Sequence, residues 1–278
     1  MKSCTKRFLA TFLVFIMLVS VLPMTAFAGT FSGEGEAEAV TVYFTLSEDG
    51  NFVTGNDKDR TVLARVPVTI EYFDLAEYGL EQYYRYEADS YENGGGYISD
   101  AIVEQPTVLH LYIRMLETYY LGGAKLEPGG DALTVSGAAT SLYMTSFWGH
   151  DQNLMYFVDH AYPLMGPGWG ATADYLLLED GMEIDVAMFS NWSFWSSGAF
   201  AFFDPTSYEN IAAGTTLEFQ TLKAATSAGM NGESLPSEML SGLTTKVYDS
   251  SWREIADLTA EASGDGSFTY QFKNAGTY

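Results

Sequence analysis

The sequence predicts an α+β protein: many β-strands around one principal amphipathic helix, followed by a further all-β unit. Three observations carry this. Short runs rich in β-branched and aromatic residues recur from Val40 to Lys273 with turn residues between them. A single long stretch, from about Pro106 to Leu121, has helical rather than alternating periodicity. A breaker-rich segment, Ser227 to Pro236, sets the last strands apart. Strands in excess of helix, without regular alternation of the two, define the α+β class.

Taken in order, the chain opens on an export signal. Lys2, Lys6 and Arg7 precede an apolar run from Phe8 to Leu22, and Ala26-Phe27-Ala28 precedes Gly29, so residues 1–28 read as a cleaved signal peptide. The apolar run is shorter than the roughly 20 residues that span a bilayer, and no transmembrane segment is expected. Residues 29–39 are a flexible lead-in. Val40 to Leu46 and Val66 to Tyr72 are the first two strands, and Asp89 to Asp100, with Gly94-Gly95-Gly96, is a surface loop. In the helix, Val108, Leu109, Leu111, Tyr112, Met115, Leu116 and Tyr119 share one face, with Pro106 in its first turn and Gly122-Gly123 at its end. His110, Arg114 and Glu117 fall outside that face, so replacing Glu117 is expected to change stability by no more than about 0.5 kcal/mol.

Downstream, Leu142 to Trp148 and Leu154 to Val158 are expected to pair as a hairpin about Gly149 to Asn153. Tyr175 to Leu178 and Met182 to Phe189 form a second expected pair around Glu179-Asp180-Gly181, and Thr216 to Leu222 closes the set. The expected organisation is a central domain over 40–223, a linker over 224–238 and a β module over 239–278. In that module Leu243 to Asp249, Trp252 to Leu258 and Ser267 to Lys273 alternate around turns.

Composition narrows the function. Removing Lys2, Lys6 and Arg7 leaves ten Lys and Arg against 36 Asp and Glu, a formal charge of −26 in place of −23. A surface so acidic repels nucleic acid and anionic lipid. With 47% hydrophobic and 15% aromatic residues the chain has ample core-forming material, so the charge does not signal disorder. The single cysteine, Cys4, lies inside the signal, which leaves the mature chain without a disulfide or thiol nucleophile.

No zinc spacing, phosphate loop, dinucleotide fingerprint or nucleophile elbow is present, so neither metal nor cofactor is expected. His150-Asp151 and Asp159-His160 bracket one strand, where they read either as solvated turn residues or as an acid–base pair converging at a sheet edge. Aromatic residues carry more information. Trp148, Trp169, Trp192, Trp195 and the group Tyr162, Phe194, Phe200, Phe202 and Phe203 gather in loops and strand ends, where they either present flat faces to a sugar or peptide or plug the core. The candidate ligand-binding residues are Trp148, His150, Asp151 and Trp169, which can converge at the strand ends joined by the Gly149–Asn153 and Gly166–Gly170 loops.

Val40 to about Lys223 resembles the DUF4430 family, which is similar to the C-terminal domain of transcobalamin. The resemblance rests on Leu116-Glu117-Thr118-Tyr119-Tyr120, Phe147-Trp148-Gly149-His150-Asp151, Tyr156-Phe157-Val158-Asp159, Pro167-Gly168-Trp169-Gly170-Ala171 and Leu178 to Ile184. It implies a β-grasp-like mixed sheet crossed by one helix. Tyr72 to Glu77 lacks the alternating oxygen ligands of a calcium loop. Phe268-Thr269-Tyr270-Gln271-Phe272 followed by Gly276-Thr277-Tyr278 resembles the late strands of bacterial immunoglobulin-like modules, implying a partial module of a longer surface protein. The function expected is a secreted or cell-surface, non-catalytic binding or adhesion module for a glycan or peptide. The alternatives are a secreted acidic hydrolase using carboxylates or His150 and Asp151, and a structural spacer.

Overall fold

Val108–Met115 forms the α-helix, α1, which continues through one π-helical turn, Leu116–Tyr120, before Gly122 and Gly123 turn the chain with φ of 63° and 98°. The computed structural model describes residues 39–87, 101–151, 153–165, 170–191 and 198–278. The signal segment, the lead-in as far as Glu38, the Asp89–Asp100 loop, and Trp169, Trp192, Phe194 and Trp195 lie outside the described residues.

The strands of the first part are β1 (Val40–Glu48), β2 (Asn51–Phe52), β3 (Val66–Ile70), β4 (Leu133–Ser136), β5 (Tyr143–Phe147), β6 (His150–Asp151), β7 (Leu154–Val158) and β8 (Glu183–Met188). Those that follow are β9 (Ala201–Asp204), β10 (Thr216–Lys223), β11 (Glu238–Met239), β12 (Thr244–Thr245), β13 (Ala260–Glu261) and β14 (Ser267–Gln271). Among the described residues α1 is the one α-helix, and parallel and antiparallel pairings share a sheet, so the class is α+β.

The central sheet is built on β1. It pairs antiparallel with β2 and β3 on one side and parallel with β8 on the other, and β7 adds antiparallel to β8. Strand alternation then sorts the side chains. Val42, Phe44 and Leu46 with Ile184, Val186 and Met188 join the buried cluster that contains Leu109, Tyr112, Ile113 and Leu116 of the helix. Tyr43, Thr45 and Ser47, Glu183, Asp185 and Ala187, and Met155 and Phe157 take the opposite, outer face.

The start of α1 explains two departures from expectation. Thr107 N donates to His110 Nδ1 at 3.1 Å, which leaves Nε2 to carry the ring proton and donate to Phe73 O at 3.1 Å. Burial pushes the His110 pKa down to about 4. His110 is thus a neutral core residue that ties the helix entrance to Phe73, not a solvent-facing one. Val108 N and Leu109 N, which have no partner inside the helix, donate to Leu176 O and Ala173 O at 3.1 and 2.8 Å. Tyr175 to Leu178, expected as a strand, instead covers the helix entrance, with one bridge from Leu177 to Thr107.

Glu117 also departs from its expected role. Its Oε1 accepts from Tyr78 Oη and from Leu126 N, each at 3.1 Å, and its Oε2 lies 3.6 Å from Arg114. Burial, then the Glu117 charge, push the Tyr78 pKa up to about 12. Glu117→Ala should therefore cost about 1–3 kcal/mol, because a partly buried amide and hydroxyl lose their acceptor. A urea midpoint unchanged from wild type would show that these bonds contribute nothing.

Three expected pairings are replaced by others. The hairpin partner of β5 is β6, not β7, and the turn is two residues long, Trp148-Gly149, with φ of 56° and 76°. β7 lies in the central sheet against β8. β10 does not close that sheet either. It is the middle strand of a second sheet, with β9 on one edge and β14 and β11 on the other, so the expected linker joins the neighbouring strands β10 and β11 and its last residue, Glu238, opens β11. Trp252 to Leu258, expected as a strand, pairs only briefly, by the Tyr248–Glu254 bridge and its flanking bonds, before a 3-10 segment over Ala256–Leu258. Where the second sheet meets the outer face of the first, Met155, Phe157, Phe189 and Ala224 are buried together against Tyr162, Phe200 and Phe202.

Candidate functional site

Of the expected site residues, Trp148, His150 and Asp151 sit at one hairpin turn. Trp148 is 6% exposed and packs between Tyr120, at 5.3 Å, and Phe147, at 5.9 Å, so it fills core space and presents little face to solvent. Gly149 follows with positive φ, and a Cβ there would lie 2.6 Å from Tyr120 Oη, so this tight turn is specific to glycine. His150 and Asp151 are successive strand residues and point to opposite faces. His150 Nδ1 lies 3.2 Å from Glu48 Oε1, which is a partly exposed contact. The turn Asp159-His160 is at the far end of β7, beyond Val158↔Ile184, whereas Glu48 pairs with Met188 opposite Leu154. The two histidine–aspartate pairs therefore do not converge at one sheet edge, and Trp169 lies outside the described residues.

What the fold does gather at the Glu48 end of the sheet is a pair of exposed rings. Asp49 and Gly50, with φ of 46° and 80°, turn β1 into β2. The Asp49 carboxylate accepts from Ser190 N at 2.9 Å and Ser190 Oγ at 2.6 Å, which pins this turn to the end of β8. Those bonds hold the Asp49 pKa below its ordinary value. Phe52 follows, opposite Ser47 and 49% exposed.

The second ring comes from a hairpin tip far along the chain. Tyr248 and Glu254 bridge, Asp249 N donates to Arg253 O at 3.0 Å, and Trp252 N donates to Asp249 O at 2.9 Å. Asp249 Oδ1 accepts from Ser251 N at 2.8 Å and Arg253 N at 3.0 Å, and these bonds lower its pKa. The geometry asks for a left-handed residue before Arg253, a position that such loops give to glycine. Here it is Trp252, with φ of 56°. A left-handed non-glycine residue costs about 1–2 kcal/mol, yet the side chain that incurs this cost is 42% exposed. Its ring stands edge-on to Phe52 at 5.6 Å and 70°, and lies 5.8 Å from Tyr248.

Chemically this is a small aromatic platform of two exposed rings set edge to face, with the polar residues Asp249, Ser251 and Arg253 in the turn that carries Trp252. It offers apolar ring faces beside donors and acceptors, an arrangement suited to adsorbing a ligand. Among the described residues no group of three or more His, Cys, Asp and Glu side chains is placed to hold a metal ion, and no helix is long and apolar enough to cross a membrane. Sequence reasoning missed both rings. The available signal was Asp249-Ser250-Ser251 ahead of Trp252, turn residues that bring a tryptophan to the surface.

No family model, curated protein or solved structure matches the chain.

Proposed function

We propose that this protein is an exported, non-catalytic binding module that holds a neutral glycan on the Phe52–Trp252 platform. One observation carries the reading: an exposed tryptophan occupies a strained turn position that glycine would fill without steric strain, and it meets a second exposed ring from a distant strand. Strain of this kind at an exposed aromatic points to a use for the ring. The formal charge of −26 after removal of the signal disfavours an anionic sugar. The basic, apolar and Ala-x-Ala succession ending at Ala28 supports export to the medium or cell surface.

The DUF4430-like and immunoglobulin-like readings belong to the same proposal. A mixed sheet covered by one helix supports the first. Supporting the second, Tyr278 Oη donates to Asn274 O at 3.1 Å, a hydroxyl returning to the backbone just upstream as in a tyrosine corner.

The test is a screen of the exported chain on glycan and peptide arrays, with Phe52→Ser and Trp252→Ser beside it. The expected result is saturable binding to neutral glycans that weakens at least about tenfold in either variant, the scale of a lost contact residue. Binding confined to peptides, or glycan binding that both variants keep, contradicts the proposal.

A further inference from the structure

The turn after β7 has an unusual occupant. Val158 and Ala161 exchange two backbone hydrogen bonds of 2.9 Å across Asp159 and His160, whose φ angles are 49° and 60°. Two-residue turns of this hand favour Asn-Gly or Asp-Gly. His160 holds the second position, and its ring is engaged on three sides. Nδ1 lies 2.8 Å from Asp185 Oδ2, Nε2 lies 3.3 Å from Glu183 Oε2, and the ring stacks on Phe202 of β9 at 4.6 Å and 18°.

The surroundings make this cluster sensitive to one proton. Asp185 is 4% exposed on the outer face of β8. Glu183 has a second cation, since Arg65 Nε lies 3.1 Å from its Oε1 while the guanidinium covers the Tyr43 ring at 4.0 Å. Asp159 Oδ1 accepts from Glu183 N at 2.9 Å. The charged groups about the ring are therefore Asp185 and Glu183 from β8, Asp159 from its own turn and Arg65 through Glu183, while β9 contributes the uncharged Phe202. A neutral imidazole can keep the one hydrogen bond to Asp185, whereas an imidazolium also carries the charge that pairs with both Asp185 and Glu183. The imidazolium also stacks on Phe202 as a cation on a ring face.

We propose that His160 is a proton-operated clasp that fastens β9, and with it the second sheet, to the outer face of the central sheet. Protonated, it bridges Asp185 and Glu183 and holds Phe202; deprotonated, it leaves the buried Asp185 carboxylate without a counter-charge and β9 loosens. Ring burial opposes the charge, but the Asp185 bond and the Asp185, Glu183 and Asp159 charges outweigh it and hold the His160 pKa above its ordinary 6.5. A raised folded-state pKa means that the contribution is complete below about pH 6.5 and is lost as pH climbs through the raised value.

The test is an NMR titration of the exported chain from about pH 5 to 9, following the His160 ring protons and the backbone amides of Ala201 to Asp204. The expected result is a His160 midpoint above 6.5 shared by those amides, and in Asp185→Asn a midpoint at least about one unit lower, which the amides follow. Should Asp185→Asn fail to fold, His160→Gln abolishes the amide titration while the rest of the spectrum persists. A midpoint at or below 6.5, an unmoved midpoint in folded Asp185→Asn, or β9 amides that ignore the His160 titration overturns the proposal. Ligand affinity plays no part in this readout, so it fails or succeeds separately from the platform.

Discussion

Phe157→Ala is expected to cost about 3–5 kcal/mol, the range for removing a fully buried aromatic ring. Phe157 has no exposed surface and stacks on Phe200 at 4.3 Å and 16°. It lies on the outer face of β7, pairing with Asp185, and with Met155, Phe189 and Ala224 it fills the seam between the two sheets. A cavity there is walled by both sheets, each rigid in its own hydrogen bonds, so neither can collapse into it cheaply. Urea unfolding read by tryptophan fluorescence and by far-ultraviolet circular dichroism measures the loss. A change below about 1 kcal/mol would mean that the seam is not a packed core.

Leu116→Ala is expected to cost about 2–5 kcal/mol through lost transfer energy plus a cavity. Leu116 opens the π-helical turn, is fully buried, and belongs to the main cluster with Phe44, Leu109 and Ile184. Its neighbour Glu117 also matters, but by way of Tyr78 and Leu126 N rather than packing. The loss at Leu116 should exceed that at Glu117; a larger loss at Glu117 would mean that the helix face is misassigned.

The parts of this fold that were legible in the sequence are those that a local period encodes. Alternation in Val40 to Leu46 marks Val42, Phe44 and Leu46 as one face, and the 3.6-residue period of the helix marks Leu109, Tyr112 and Leu116 as another. All six residues are buried. Period assigns a face but not a partner. Leu154 to Val158 alternates equally well against β5 or β8, and what separates the cases is the two-residue turn at Trp148-Gly149, which commits β5 to β6 first. Thr216 to Leu222 reads as a strand in either sheet, and its assignment to the second follows from Phe219 stacking on Phe268 at 5.2 Å.

Polar residues were misread for a similar reason. His110 looks exposed on a helical wheel, yet it accepts from Thr107 N at the helix entrance, a role set by the end of the helix and not by its period. The candidate site was least legible of all. Phe52 and Trp252 become neighbours only through the contact of β2 with a hairpin tip from the other end of the chain. The left-handed φ that singles out Trp252 is a property of the closed turn, to which composition gives no access.

Trp252→Gly tests the central claim most directly, because glycine suits the left-handed turn and removes the ring. Relief of the left-handed strain should offset the lost contacts with Phe52 and Tyr248, leaving unfolding free energy within about 1 kcal/mol of wild type. Affinity for the neutral glycan found on the array should fall at least about tenfold in the same sample. Retained affinity with unchanged stability would contradict the platform, and so would a stability loss of about 3–5 kcal/mol, which would place Trp252 in the core.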